Sequence, residues 1–146
     1  ATGGSTNHFI HLPAIAAAAG LEITWDDFAD VSRVTPLLAR IYPNGSADMN
    51  HFHAAGGMAF LTRELLDAGL LHEDVTCVAG AGLGAYAQEP FLVGETLAWR
   101  DATTSSADDS VLRGASAPFA PDGGLRVMSG PLGRAVVKVS AVARPM

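Results

Sequence analysis

Cysteine is the scarcest resource of this sequence. Cys77 stands alone among 146 residues, so no internal disulfide forms, which suits a reducing compartment, and one thiol cannot hold a metal cluster by itself. Positive charge is also thin: 9 Lys and Arg face 15 Asp and Glu, for a net charge of −6 and no basic cluster. That argues against nucleic acid and against an anionic membrane surface as partners. A small anion is still admissible, because local backbone donors set the field at a site. Long apolar runs are missing too. The longest, residues 9–21, contains His11 and Pro13 and falls short of the roughly 18 apolar residues of a membrane-spanning helix. No basic segment precedes it, so no secretory signal is expected and a cytoplasmic protein is.

What remains is 49% hydrophobic and 16% charged, a balance that reads as globular and not disordered. The length fits one ordinary domain or a piece of something larger. Phe9, Leu12, Ala16 and Ala19 recur at helical spacing before Gly20, predicting a helix over 6–19 that Pro13 should kink or delay. Thr24 or Asp26 should open a short helix carrying Trp25, Phe28 and Val31 inward. Residues 37–42 fit a buried strand, although period alone does not separate strand from helix there, and a turn follows at 43–46. A short helix over 48–54 should end at Gly56 and Gly57. Met58, Leu61, Leu65 and Ala68 then stripe a second helix, with Arg63, Glu64 and Asp67 on its wet side and Gly69 as its stop.

Residues 74–78 fit a short strand. Beyond Pro90 the chain turns strand-like, over 96–99, 111–112 and 125–142, with Lys138 expected to face water. The fold class expected is therefore α/β (mixed): a helix-rich part over 1–94 and a β-rich part over 95–146. So few strands would leave an open sheet edge in want of a partner.

The densest chemistry lies in the opening Thr2-Gly3-Gly4-Ser5-Thr6-Asn7-His8. Two glycines allow a sharp turn, Ser5 or Thr6 can cap the following helix, and the helix's first N–H groups should point back at the turn. A carboxylate or phosphate there would meet oriented amides, two hydroxyls and the positive end of the helix. Capping alone is the plainer alternative. Elsewhere the candidates thin out. The five histidines form no metal-ligand motif, and His51 and His53 point apart on a helix, although either could line a pocket. The pairs Asp26-Asp27 and Asp108-Asp109 fit a helix start and a loop. Gly80-Ala81-Gly82-Leu83-Gly84 lacks the spacing of a dinucleotide loop. Ser5 has no nucleophile-elbow context.

Several stretches together resemble the dihydroxy-acid/6-phosphogluconate dehydratase family. They are the opening Gly3-Gly4-Ser5-Thr6-Asn7-His8, then His11-Leu12-Pro13-Ala14, Trp25-Asp26-Asp27-Phe28, Tyr42-Pro43-Asn44-Gly45, Asn50-His51-Phe52, the run 63–75, and Gly130-Pro131-Leu132-Gly133-Arg134-Ala135-Val136-Val137-Lys138. The Asn50-His51-Phe52 and Leu132-Gly133-Arg134-Ala135 segments are most similar to the phosphogluconate branch.

The resemblance implies a hydro-lyase that converts 6-phospho-D-gluconate to 2-dehydro-3-deoxy-6-phosphogluconate and water, in the Entner-Doudoroff route. Related dihydroxy-acid or sugar-acid dehydratases, and a non-catalytic module on the same scaffold, are the alternatives. It also implies an iron–sulfur cluster (4Fe-4S), a divalent cation in some members and a homodimer. The cluster cysteines and the catalytic base of the family fall outside the matched segments, so the chain is expected to be an internal fragment, inactive alone. Residues 1–94 would end the α/β domain and 95–146 would start the C-terminal β domain. Gly4, Ser5, Thr6, Asn7, His8, Asn50 and His51 are the expected contacts to the phosphorylated sugar acid.

Overall fold

Residues 1–142 are described by the computed structural model. They group into two units, Ala1–Ser46 with the chain from Pro118 onward, and Ala47–Ala117, each with its own core.

In the first unit, helix α1 (His8–Ala18) runs on through Pro13. Proline has no N–H to offer the carbonyl four residues back, which is that of Phe9. The indole Nε1 of Trp25 donates to that carbonyl instead, at 3.3 Å, so the expected interruption does not break the helix. Helix α2 (Trp25–Val34) starts at a full capping box: Thr24 accepts from the Asp27 amide while the Asp27 carboxylate accepts from the Thr24 amide. Phe9 is buried between the two helices, stacked on Phe28 at 4.5 Å and edge-on to Trp25 at 5.9 Å.

Val31, expected inside, is exposed, and the inward position belongs to Ser32. The reason is polar: the Ser32 hydroxyl donates to the Leu125 carbonyl at 2.8 Å and accepts from the Leu125 amide at 3.3 Å, pinning the start of a hairpin to α2. That hairpin pairs β5 (Leu125–Gly130) with β6 (Gly133–Lys138) around Pro131 and Leu132. The expected strand over 125–142 is thus folded back on itself, and its last residues form a 3-10 turn, Val139–Ala141.

The segment 37–42 forms no regular strand: it holds isolated bridge residues at Leu37, Ala39 and Ile41, with Leu37 bridged to Ala120. It still forms the core, since Leu37, Leu38 and Ala39 are buried and Leu38 donates to the Ala1 carbonyl at 2.7 Å.

In the second unit, helix α3 (Met49–Ala54) is capped by Asp48, and helix α4 (Gly57–Asp67) follows after Gly56. The inner face of α4 is Ala59, Phe60, Leu61 and Thr62, while Met58, expected to face inward, is exposed. Arg63 and Glu64 are not on the wet side either. Arg63 Nη1 donates to the Ala102 carbonyl at 2.9 Å and to the Thr103 carbonyl, and the Glu64 carboxylate accepts from the Ala115 amide at 2.9 Å. The irregular segment 102–115 has backbone groups to satisfy, and the helix supplies their partners.

Two hairpins complete this unit. The short pair β1 (Thr76–Cys77) and β2 (Gly80–Ala81) precedes β3 (Gln88–Val93) paired with β4 (Thr96–Asp101) around Gly94 and Glu95. The expected strand at 111–112 is a turn residue, Val111, followed by an isolated bridge residue, Leu112, both buried. Among the described residues every sheet is two-stranded, giving a mixed α/β chain of four α-helices and antiparallel hairpins. The expected boundary at 94/95 falls in the β3–β4 turn and does not coincide with the division between the two units. Residues 143–146 of the expected second part lie outside the described residues.

Candidate functional site

The opening turn brings five of the expected site residues together. Gly3 and Gly4 take φ of +79° and +52°, and an added Cβ on Gly3 would stand 2.0 Å from Asn44 Nδ2. Only glycine fits there, because that amide packs against the turn to donate to the Thr2 carbonyl at 2.8 Å.

The helix end behind the turn is closed, contrary to expectation. The amides of His8, Phe9 and Ile10 donate to the carbonyls of Ser5, Thr6 and Asn7 at 3.0–3.1 Å, so the chain winds into α1 through tight i to i+3 bonds. Neither Ser5 nor Thr6 caps the helix. Asn7 holds the cap position in a helical conformation, and Ser5 Oγ accepts from its amide at 3.3 Å. His8 turns its Nδ1 back toward the Ser5 amide, 3.5 Å away. The amides of Gly3, Gly4 and Thr6 carry no hydrogen bond within the described residues. Any backbone donors for an anion are therefore those of the loop, not of the helix.

Lys138, expected in water, lies against this turn. Its ammonium donates to the Gly4 carbonyl at 2.6 Å from the end of β6. Burial lowers its pKa from the usual 10.5, since partial desolvation disfavours the charged form. The same loss of solvent strengthens the field that the cation exerts on the turn. No spacing rule in the sequence could have paired residues 134 positions apart.

Beside the turn, Asn44 also accepts from the Ser140 hydroxyl at 2.9 Å. Asn44 and Ser140 share the wall of a cavity of about 230 Å³ with Arg40, Phe119 and Asp122. The Arg40 guanidinium lies over the Phe119 ring at 4.7 Å. Asp122 is ion-paired with Arg126.

Asn50 and His51 fall in the other unit, on the first turn of α3. There the His51 ring and the Asp48 carboxylate meet at 2.7 Å, and Asp48 accepts from both the Asn50 and His51 amides, at 2.9 and 3.0 Å. These bonds hold the Asp48 carboxyl below its usual range. His53 lines a cavity of about 500 Å³ in the same unit, walled mainly by apolar groups including Met58, Tyr86 and Trp99.

Among the described residues no group of three or more His, Cys, Asp or Glu side chains is placed to hold a metal ion. The Cys77 thiol donates to the carbonyls of Gly80 and Gly82, both at 3.2 Å. This chain's residues therefore do not fit an iron–sulfur cluster, which needs several thiolates. None of the described helices is long and apolar enough to cross a membrane.

Residues 1–86 match the family described as dihydroxy-acid/6-phosphogluconate dehydratase N-terminal, and the chain belongs to that family. Its similarity within the family leans to one side. It is 62% identical over 143 residues to the phosphogluconate dehydratase of Pseudomonas aeruginosa and 59% identical over 142 residues to that of Escherichia coli, covering 98% and 97% of this chain. Identity to the dihydroxy-acid dehydratase of Nitratidesulfovibrio vulgaris is 41% over 148 residues, covering 100% of this chain. The chain spans about a quarter, 24%, of the length of each of these relatives.

Proposed function

We propose that this chain is a substrate-binding section of a phosphogluconate dehydratase, the hydro-lyase that takes 6-phospho-D-gluconate to 2-dehydro-3-deoxy-6-phosphogluconate and water. The observation that carries this reading is the 62% identity across 98% of the chain to a relative of that name, against 41% for a dihydroxy-acid dehydratase. Removing water from such an acid needs a base for the proton beside the carboxylate and assistance to the departing hydroxyl. In the family that assistance comes from an iron–sulfur cluster of the 4Fe-4S kind, with a divalent cation in some members. The proposal places those groups on polypeptide beyond these 146 residues, because the only thiol here is bonded to two carbonyls.

The task of this chain is then to hold an anionic end of the sugar acid. The loop amides of Gly4 and Thr6 and the hydroxyls of Ser5 and Thr6 are the donors, with Asn7 at the rim. Lys138 supplies positive charge through its contact with the Gly4 carbonyl. Asn50 and His51 bond Asp48 through their backbone amides and the His51 ring at the start of α3, and the opening turn is the part assigned to substrate here.

Residues 1–94 are read as the end of the family's α/β domain and the rest as the start of its β-rich domain, a division supported by the family match ending at residue 86. Homodimerisation in the cytoplasm completes the reading. It is supported by the unpaired edges of the hairpins and by the free thiol.

The test is dehydration of 6-phospho-D-gluconate by the full-length protein prepared without oxygen, followed as 2-oxo acid formation. Turnover by the full-length protein and none by the 146-residue chain is expected. Preference for an unphosphorylated dihydroxy acid would move the protein to the other branch of the family, and turnover by the short chain would refute its being a section of the enzyme.

A further inference from the structure

We propose that Arg40, with Ser140 and Asn44, forms the subsite for the phosphoryl group of the substrate, a site distinct from the opening turn. The inference rests on the dehydratase reading for the identity of the ligand, and on its own geometry for the site.

Among the described residues, Arg40 is the cation lining the cavity of about 230 Å³ in the first unit. Its guanidinium carbon lies over the Phe119 ring, 4.7 Å from the centroid, and the group takes part in none of the ion pairs or side-chain hydrogen bonds of the described residues, so its donors are available. An arginine held by an aromatic plane keeps its fork oriented while leaving the N–H edge open, the arrangement suited to the oxygens of a phosphate monoester. Asp122, the one carboxylate on the wall among the described residues, is paired with Arg126 and accepts from the Gly124 amide at 3.3 Å, so it does not neutralise Arg40. The Ser140 hydroxyl on the wall is a further donor, at present engaged with Asn44 Oδ1.

Asn44 joins this cavity to the opening turn. One end of its amide donates to the Thr2 carbonyl and the other accepts from Ser140. Two anion-binding places separated by one side chain match a ligand that is charged at both ends, as a phosphorylated sugar acid is and a simple dihydroxy acid is not.

The experiment uses the full-length holoenzyme and its Arg40→Met and Arg40→Lys variants. It reads kcat and KM for 6-phospho-D-gluconate, together with binding of inorganic phosphate followed by phosphorus NMR. The inference expects Arg40→Met to raise KM about tenfold or more with kcat within about threefold, to abolish saturable phosphate binding, and Arg40→Lys to recover part of both.

Wild-type KM and wild-type phosphate binding in Arg40→Met would overturn the subsite and leave the dehydratase reading intact. Arg40-dependent phosphate binding in a protein that does not dehydrate the phosphorylated acid would overturn the dehydratase reading and leave the subsite intact. Should Arg40→Met not fold, Arg40→Lys decides the matter: unchanged KM and phosphate affinity in that variant also count against the subsite, since a point charge does not reproduce a fork.

Discussion

Trp25 Nε1 donates to the Phe9 carbonyl at 3.3 Å, and that carbonyl is the one that Pro13, four residues further on, is unable to bond. The indole thus repairs a backbone defect in α1 and fixes the helix whose first turn grows out of the Gly3-Gly4 loop. Trp25→Phe keeps the ring and loses the N–H. It should destabilise the protein by about 1 to 3 kcal/mol, the cost of a part-buried carbonyl left without its donor, measured as a shift in the urea midpoint. An unchanged midpoint would mean that water replaces the indole at no cost.

Gly3→Ala should be costly for a second reason beyond its φ of +79°, because the new methyl would sit 2.0 Å from Asn44 Nδ2. About 2 to 4 kcal/mol is expected from backbone strain and displacement of Asn44 together. Gly20→Ala is the control: its φ is +74° with nothing within 4 Å of the added Cβ, so only the backbone penalty of roughly 1 to 2 kcal/mol applies. Thermal denaturation of the two variants side by side measures the difference.

On α4 the prediction separates two faces. Phe60 is 2% exposed and Met58 is 59% exposed, so Phe60→Ala should cost about 3 to 5 kcal/mol and Met58→Ala within about 0.5 kcal/mol. Equal effects in chemical denaturation would show that the inner face is assigned to the wrong residues.

Acid should loosen α2 and α3 through their caps. The Thr24 bonds hold Asp27 below its usual 3.8, and the His51 and Asn50 bonds do the same for Asp48. A carboxyl whose folded pKa lies below its unfolded value contributes stability that is complete above the unfolded value. That contribution disappears as pH falls through the lower, folded one. Far-UV circular dichroism should therefore show helix loss confined to pH below about 4, with a weaker pH dependence in Thr24→Ala.

The parts legible in the sequence were those set by local rules. The helix start at Thr24 or Asp26, the short helix over 48–54, the Gly69 stop and the apolar faces of Phe9 and Phe28 follow from side-chain chemistry within a turn or two. What stayed hidden depends on partners far along the chain. Val31 yields its place to Ser32 because Leu125 needs a bond, and Arg63 and Glu64 turn inward to serve residues 102–115.

The site shows the same division. The Gly3-Gly4-Ser5 turn is visible as residues, yet its helix amides are consumed locally. The cations beside it, Lys138 on Gly4 and Arg40 next to Asn44, enter only when β6 and the turn after residue 40 are folded against the opening loop. No period or motif encodes that meeting.

The most direct measurement of the central claim is KM for 6-phospho-D-gluconate in the full-length enzyme carrying Thr6→Val, which removes one exposed hydroxyl while keeping the side-chain shape. Loss of a hydrogen bond to a charged group, worth about 1.5 kcal/mol, should raise KM roughly tenfold with kcat little changed. A wild-type KM in a variant with wild-type thermal stability would contradict the assignment of the opening turn to the substrate.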